Sequence, residues 1–406
     1  MRKGTQFMTK GIYSLLVFAL LFMAGCKKES EVTLSKSSAT EELNATIAKE
    51  KLVAFVKEHN IAPRFKRGAV VPSGNQVSKI AARPQQTFDL STNADYRLNQ
   101  VIIDRVINPD DYECGPTYVD DYFYKSIENW TNYDITVYIY FGGIAFDYAY
   151  LFANTDGGQY FGSNGQFTNN TNRTFKDLLR FWNIPTDILL RDAHGIIYAD
   201  EAKVKRVLLV YGYSDADATY LAGLLKDVMG SAAFMHYNHP LLTFNAFAAT
   251  ADPYWGAPKK IVMGDGIQQM YEDLGFGDVY TQEILAHEYG HHVQFAKNVD
   301  FGNSPEGTRR TELMADALSS YFMTHKRGAA MNWKRVQQFL VVAYGIGDCA
   351  FNSYNHHGTP NQRMKSSEFG YQVASDAQKK GKILTGEEFI ALFDAALPGI
   401  LAPDAN

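Results

Sequence analysis

The sequence predicts an α+β protein in which a mixed sheet precedes a pair of packed helices. Short segments rich in valine, isoleucine, tyrosine and phenylalanine occur mainly before residue 265, and helical periodicity dominates after it. The 406-residue chain is 46% hydrophobic and 20% charged, which is typical of globular proteins and sufficient for a sizeable core. This order of elements suggests an α+β fold in which the sheet comes before the last helices.

The first 26 residues have the pattern of a secretion signal. Three basic residues precede an apolar run at 12–24, which is too short for a comfortable membrane span. Met-Ala-Gly-Cys at 23–26 resembles a bacterial lipoprotein processing site. The resemblance implies a signal peptide at 1–25 and lipidation of Cys26, with the outer membrane favoured over the inner. An uncleaved anchor or a plain secretory signal are the alternatives, and all of these place the remaining chain outside the cytoplasm.

The segment after the signal is predicted to connect the anchor to a globular part. Residues 27–40 are polar and serine-rich, which indicates a flexible spacer, and 41–59 have helical periodicity. Three prolines then mark a linker. The predicted organisation is therefore a lipidated cysteine, tether, helix and linker at 26–94, followed by one domain at 95–406.

The first half of the globular part alternates between predicted strands, loops and helices. Ser214 is placed as the N-cap of one helix, with Asp217 reaching back to it. In chain order, the assignments are one or two buried strands at 135–152, a long loop or hairpin at 154–173, a short helix at 174–182, a strand at 204–211 and a helix at 215–229.

The strongest chemical signal is His287-Glu288-Tyr289-Gly290-His291, an HExxH pattern inside a predicted helix. Spacing of i and i+4 places both imidazoles on one helix face, where they can bind one Zn²⁺. Glu288 then lies beside the metal as a general base for water. The alternative is a pair of core histidines bonded to carbonyls or water.

A zinc site needs a third protein ligand, and Glu312 is the best candidate. It lies on a second predicted helix that begins after Ser304. Asp316 shares its face and is assigned as the acceptor for a ligand histidine, a common support for zinc-bound imidazole. The alternative is a solvated acidic face paired with Arg309 or Arg310.

Three motifs together resemble the neutral zinc metallopeptidase family of bacteria. They are His-Glu-Tyr-Gly-His-His-Val-Gln at 287–294, Glu-Leu-Met-Ala-Asp at 312–316 and His-Gly-Thr-Pro-Asn-Gln-Arg at 357–363. The likeness covers 284–370, about a fifth of the chain.

The resemblance implies a zincin-like catalytic domain. It implies that His287, His291 and Glu312 bind one zinc and that Glu288 is catalytic. In zincin-like folds, an edge strand next to the metal binds extended peptide through its main chain. Residues 245–248 and 260–264 are predicted as short strands, and Asn-Ala-Phe-Ala resembles such an edge strand. An ordinary core strand is the alternative for each.

Stabilising an oxyanion requires a further hydrogen-bond donor. His357 is the preferred candidate because it begins the third motif, although a structural loop histidine is an equal alternative. The other candidates by residue type are His325, Tyr354 and His356. The histidines interpreted as structural are His59, His194, His236 and His239.

Two cysteines remain after Cys26, in a compartment that permits disulfides. Cys114 and Cys349 both lie in predicted loops, and a bridge between them is one possibility. Two separate buried thiols are the other. No CxxC spacing is present, which argues against cysteine ligation of zinc.

These patterns together predict a membrane-anchored zinc metallopeptidase that hydrolyses polypeptide in the cell envelope. One alternative is a zinc-containing binding lipoprotein that captures glycan or peptide without catalysis. Another is a zincin-fold hydrolase acting on a non-peptide amide. A net charge of −5 without a basic cluster argues against nucleic-acid binding.

Overall fold

A computed structural model describes residues 30–61, 117–154, 158–302, 304–348 and 356–404. The signal peptide, Cys26, the linker, Cys114, Cys349 and Tyr354 lie outside the described residues. The proposed lipidation and the disulfide are therefore predictions without a structural test. Within the described ranges, no helix has both the length and the apolar character required to cross a membrane.

Helices make up most of the described chain. The α-helices are α1 (Ser30–Glu58), α2 (Tyr118–Ser126), α3 (Asn132–Phe141), α4 (Ile144–Leu151), α5 (Thr168–Phe181), α6 (Glu201–Val210), α7 (Asp215–Met229), α8 (Asp265–Asp273), α9 (Gly277–Ala296), α10 (Pro305–Thr324), α11 (Trp333–Gly345), α12 (Pro360–Lys379) and α13 (Gly386–Ile400). Short 3₁₀ helices lie at Gly195–Ala199, Ala232–Phe234 and Pro240–Thr243.

One mixed three-stranded sheet accompanies these helices. Its strands are β1 (Leu189–Ala193), β2 (Ala246–Ala249) and β3 (Lys260–Gly264), in the order β1-β3-β2. β1 is parallel to β3, and β2 is antiparallel to it. The strands predicted at 245–248 and 260–264 are confirmed, and β1 was not predicted. The coarse α+β class is shown, with a smaller sheet than the sequence suggested.

The strands predicted at 135–152 are wrong, because this segment forms α3 and α4. All eight residues of α4 are buried. A helix buried on every side has the same continuous apolar run as a buried strand, so periodicity alone does not separate them. A capping box between Thr131 and Asp134 fixes the start of α3.

The strand predicted at 204–211 is also wrong, because this segment lies in α6. Asp200 caps α6 by accepting the backbone N–H groups of residues 202 and 203. The buried residues of α6 have the helical spacing i, i+3, i+4: Val204, Val207 and Leu208. The strand was predicted because β-branched residues are common in this segment.

Three other predicted helices are present, and two of them are longer than predicted. The helix over 215–229 is confirmed, with Ser214 accepting the N–H of Asp217. The helix predicted at 174–182 instead spans 168–181, so the loop predicted at 154–173 is shorter. The helix predicted at 41–59 is confirmed but begins at Ser30, so the flexible spacer prediction is wrong beyond that residue.

The sheet separates two hydrophobic cores. Ile261 and Met263 of β3 pack into the core that contains α9 and α10, whereas Val262 and Phe247 pack with α4. This alternation follows from the two-residue period of a strand. A third cluster of apolar side chains joins α1, α3, α4, α6 and α7. Both faces of the sheet are therefore covered, and α9 lies directly against β2 and β3.

Lys260 is a fully buried lysine at the start of β3. Its ammonium donates to the carbonyl of Tyr150 at 2.6 Å and to the side chain of Asn154. These acceptors lie at the C-terminal end of α4, where unpaired helical carbonyls favour a cation. Burial lowers the pKa of Lys260 to about 8. The charge thus ties α4 to the sheet beside the strand that precedes α9.

His194 lies between two carboxylates at the carboxyl ends of the parallel strands. Its Nε2 is 2.7 Å from Asp192 and its Nδ1 is 2.6 Å from Asp265, and its ring stacks on Tyr160. Burial alone lowers the pKa of His194, but the two carboxylates outweigh it and raise this pKa to about 9. The imidazolium therefore joins β1 to β3 at this edge.

The raised pKa of His194 predicts a pH-dependent stability. The stabilisation is present in full below the unfolded pKa of about 6.5 and is lost as pH rises through about 9. Denaturant unfolding at pH 6 and pH 9.5 should show the parent weakening, with a smaller change in His194→Gln. His236→Gln, at an exposed histidine, is the matched control. Equal pH dependence in the parent and His194→Gln would contradict the assignment.

Candidate metal centre

The α9 and α10 helices approach closely where the HExxH pattern lies. A Cβ added at Gly290 would stand 3.3 Å from the backbone of Ala315, which is tighter than most such contacts. The glycine between the two histidines therefore permits close helix packing. This approach brings the imidazoles of α9 towards the carboxylates of α10.

Two imidazole nitrogens and one carboxylate converge between these helices. The Nε2 of His287 is 3.2 Å from Glu312 Oε2, and the Nε2 of His291 is 3.5 Å from Glu312 Oε1. All three residues are buried, and they form a group able to bind a metal. Tetrahedral zinc with ligands at about 2.0–2.1 Å separates neighbouring ligand atoms by roughly 3.3–3.4 Å. The two nitrogen–oxygen distances, which go to different oxygens of one carboxylate, are close to that edge length, and the three ligand atoms all lie within 4.8 Å of one another.

The opposite nitrogen of each ring has its own acceptor. The Nδ1 of His287 is 2.8 Å from Asp316, and the Nδ1 of His291 is 2.9 Å from the Gln294 side-chain oxygen. Gln294 is oriented because its amide nitrogen donates to the carbonyl of Thr311 at 2.7 Å. With both Nδ1 atoms protonated, each Nε2 presents a lone pair, as metal binding requires.

A buried arginine supports the outer part of this site. Arg363 donates two hydrogen bonds to Asp316, at 2.8 and 2.6 Å, and both side chains are buried. Burial alone raises the pKa of Asp316, but Arg363 and His287 lower it below its usual value. Asp316 is therefore an ionised acceptor for His287.

The alternative of a solvated acidic face on α10 is wrong. Glu312 and Asp316 are 2% and 0% exposed. Arg310 pairs instead with Asp394 of α13. Among the described residues, Glu312 Oε1 is buried without a hydrogen bond. A buried carboxylate oxygen in this state costs free energy unless a cation or water pairs with it, so the donor set fits zinc.

Glu288 lies between the histidines and the sheet. Its side chain is buried, and burial raises the pKa of its carboxyl above the usual value. The backbone N–H of Ala248 in β2 points to this carboxylate. A buried carboxylate with a raised pKa is a suitable general base near neutral pH.

The direction of the Ala248 amide follows from the strand pairing. Asn245 accepts the N–H of Gly264 on its carbonyl, so its backbone points towards β3. Alternation then directs the backbone groups of Ala246 and Ala248 away from β3, towards the other edge of β2. Asn245 uses its own side chain to accept the N–H of Ala246. The Ala246 carbonyl and both backbone groups of Ala248 therefore point away from β3.

His357 lies on the Glu312 side of this centre. The carboxylate of Asp348 accepts the backbone N–H of His357 at 2.8 Å and lies 3.2 Å from its Nδ1. Burial lowers the pKa of His357, but Glu312 and Asp348 raise it above its usual value. The same carboxylate group binds Nδ1 of His356 at 2.6 Å. Asp348 therefore orients both histidines.

The remaining histidines have other surroundings. The Nε2 of His325 contacts the carbonyl of Lys382, at the far end of α10 from Glu312. Ring nitrogens of four further histidines contact backbone carbonyls: His59, His236, His239 and His292. These contacts agree with the structural roles predicted for His59, His236 and His239. The carbonyl-bonded pattern considered for the HExxH pair thus describes His292 rather than His287 or His291.

Sequence reasoning assigned no role to Gln294, Asp348 or Arg363. Gln294 had a local signal, because it follows His291 by three residues on the same helix. Arg363 lies in the third motif, but its contact with Asp316 depends on how α12 packs on α10. Asp348 carries no pattern in the sequence that indicates a role.

Comparison of the chain with protein-family models, curated proteins and solved structures finds no match. The arrangement of side chains is therefore the basis on which a function is argued. A buried set of two imidazoles and a carboxylate, with a second carboxylate beside it, is suited to metal-assisted hydrolysis.

Proposed function

We propose that this chain is a zinc-dependent metallopeptidase with a zincin-like catalytic domain. The observation that carries the proposal is the convergence of His287, His291 and Glu312 with Glu288 beside them. Zinc sites with three protein ligands are typically catalytic, since structural sites have a fourth. We further propose anchoring through lipid on Cys26, in the outer membrane, so that the enzyme acts on envelope polypeptides.

The roles of the chain's residues follow from their positions. Zinc, when bound, supplies Lewis-acid chemistry that makes hydroxide available near neutral pH. Glu288 accepts a proton from the attacking water and transfers it to the leaving amine. His357, which Asp348 orients and whose pKa Glu312 and Asp348 raise, donates to the developing oxyanion.

We propose a peptide rather than another amide as the substrate because β2, which lies beside Glu288, resembles the substrate-binding edge strand of zincin-like folds. The alternative of a non-catalytic binding lipoprotein gives no role to a buried Glu288 beside the histidines.

The first test is metal content. The full chain, purified in detergent, should contain about one zinc, and Glu312→Gln should contain far less after dialysis against a weak chelator. Elemental analysis measures both. Glu306→Gln, an exposed glutamate on the same helix, is the matched control and should retain zinc. A parent that takes up no zinc on addition at neutral pH would exclude the metallopeptidase and the zinc-containing binding lipoprotein alike.

A further inference from the structure

The imidazole of His291 is enclosed by four neighbouring side chains. The ring of His287 meets it edge to face at 4.9 Å, and the side-chain oxygen of Gln294 lies 2.9 Å from its Nδ1. The ring centroids of Phe295 and Phe301 lie 6.5 and 6.4 Å from the centroid of the imidazole. Gln294 therefore holds one edge of this ring, and two phenylalanines lie beside it.

The two phenylalanine rings lie on the solvent side of His291. Phe295 and Phe301 stack on each other, with 5.1 Å between ring centroids and 29° between ring planes. Both side chains are partly exposed, whereas His291 is 1% exposed. Centroid distances of about 4.5–7 Å are those of interacting aromatic rings. The stack therefore covers the His291 imidazole on this flank of the metal centre.

The loop between α9 and α10 fixes the position of Phe301. On the α9 side, the backbone N–H of Val299 donates to the carbonyl of Gln294 at 3.0 Å. On the α10 side, a Cβ added at Gly307 would stand 2.4 Å from the carbonyl oxygen of Phe301, so the loop lies directly against the first turn of that helix. Phe301 is therefore held from both ends of the loop.

Phe295 is held by its own helix and by the sheet. It follows His291 by four residues on α9, so the two side chains share a helix face. Its ring packs edge to face on His292 at 5.5 Å, and the Nε2 of His292 lies 3.1 Å from the carbonyl oxygen of Lys260 in β3. Rotation of His291 towards this flank would therefore displace rings that the surrounding structure holds in place.

We propose that Phe295 and Phe301 are positioning residues that confine the His291 imidazole and thereby slow the release of zinc. The inference rests on the proposed function, because it takes His291 as a zinc ligand. Zinc leaves such a site by losing one protein ligand at a time, and an imidazole that cannot turn away rebinds the ion before the next ligand dissociates. Residues that support a metal ligand typically change metal affinity by about 10–100-fold.

The first test is the rate at which the full-length, zinc-loaded chain transfers zinc to an excess of a chromophoric chelator. Phe301→Ala and Phe295→Ala should accelerate release by at least about 10-fold, because the imidazole gains room to turn. Phe301→Leu keeps most of the apolar volume and should release zinc close to the parental rate. Phe152→Ala, at a partly buried phenylalanine that packs in the other two hydrophobic clusters, is the matched control.

Double variants separate confinement of His291 from a general loss of stability. Gln294 holds the same imidazole as Phe301, whereas Asp316 holds His287. The effect of Phe301→Ala on the release rate should therefore change when Gln294→Ala is present and stay the same when Asp316→Asn is present. A general loss of stability predicts the same effect in both backgrounds.

The other outcomes are distinct. Phe301→Ala that is folded by circular dichroism and releases zinc at the parental rate would overturn the proposal, as would equal behaviour in the two backgrounds. A parent that takes up no zinc would overturn it together with the metallopeptidase. If the parent and the variants release zinc as expected but the parent hydrolyses no peptide, the role of the two phenylalanines stands and the peptidase proposal fails.

Discussion

Glu288→Gln is expected to remove peptide hydrolysis while leaving zinc in place. Glutamine keeps the size of the side chain and can still contact the Ala248 amide through its oxygen, but it does not accept a proton. General-base catalysis contributes about 10²–10⁴-fold, so hydrolysis of denatured casein or a quenched fluorescent peptide library should fall by at least about 100-fold. Zinc per chain should remain at the parental value.

The glutamine substitution also relieves a buried carboxyl whose pKa is raised by burial. Thermal stability should therefore equal or slightly exceed that of the parent, as removal of a strained catalytic group often does. Glu272→Gln, at an exposed glutamate of α8, controls for the substitution itself. Full activity in zinc-loaded Glu288→Gln would rule out this residue as the general base and weaken the peptidase proposal as a whole.

The side chains of the centre that share one face of a helix were predicted from the sequence. The i, i+4 spacings of His287 with His291 and of Glu312 with Asp316 fix which side chains point together once each helix exists. The face that Asp316 shares with Glu312 led to its assignment as the acceptor for a ligand histidine, and the structure places it 2.8 Å from His287. Asp316 and His287 lie in one site as soon as their two helices pack against each other.

The components that depend on distant packing were not predicted. The Asp316–Arg363 pair spans 47 positions, and the Asp348–His357 contact joins two residues that lie outside α11 and α12. Neither pair of residues has a helical or strand spacing that could indicate the contact from the sequence. The helices at 135–152 and 201–210 were missed for a related reason: burial on several faces or β-branched content imitates strand composition, and tertiary packing decides the outcome.

Asp316→Asn is expected to damage both the fold and the metal affinity. Asparagine keeps the shape of the side chain but removes the negative charge that neutralises Arg363, which is 3% exposed. Breaking a buried ion pair by removing one partner costs about 3–5 kcal/mol of unfolding free energy. The weaker acceptor also orients His287 less well, so zinc affinity should fall by about 10–100-fold.

Denaturant unfolding of the metal-free chain measures the first effect, and competition with a chromophoric chelator measures the second. Asp376→Asn on α12, an exposed aspartate paired with Lys379, should change neither. The double variant Asp316→Asn/Arg363→Met separates the two contributions, because it removes the buried charge together with its partner. It should recover stability towards the parental value while zinc binding stays weak, since the methionine fills the space but supplies no acceptor for His287. If the double variant regained zinc affinity as well, Asp316 would act on the metal only through the stability of the fold, and its contact with His287 would have no separate role in binding zinc.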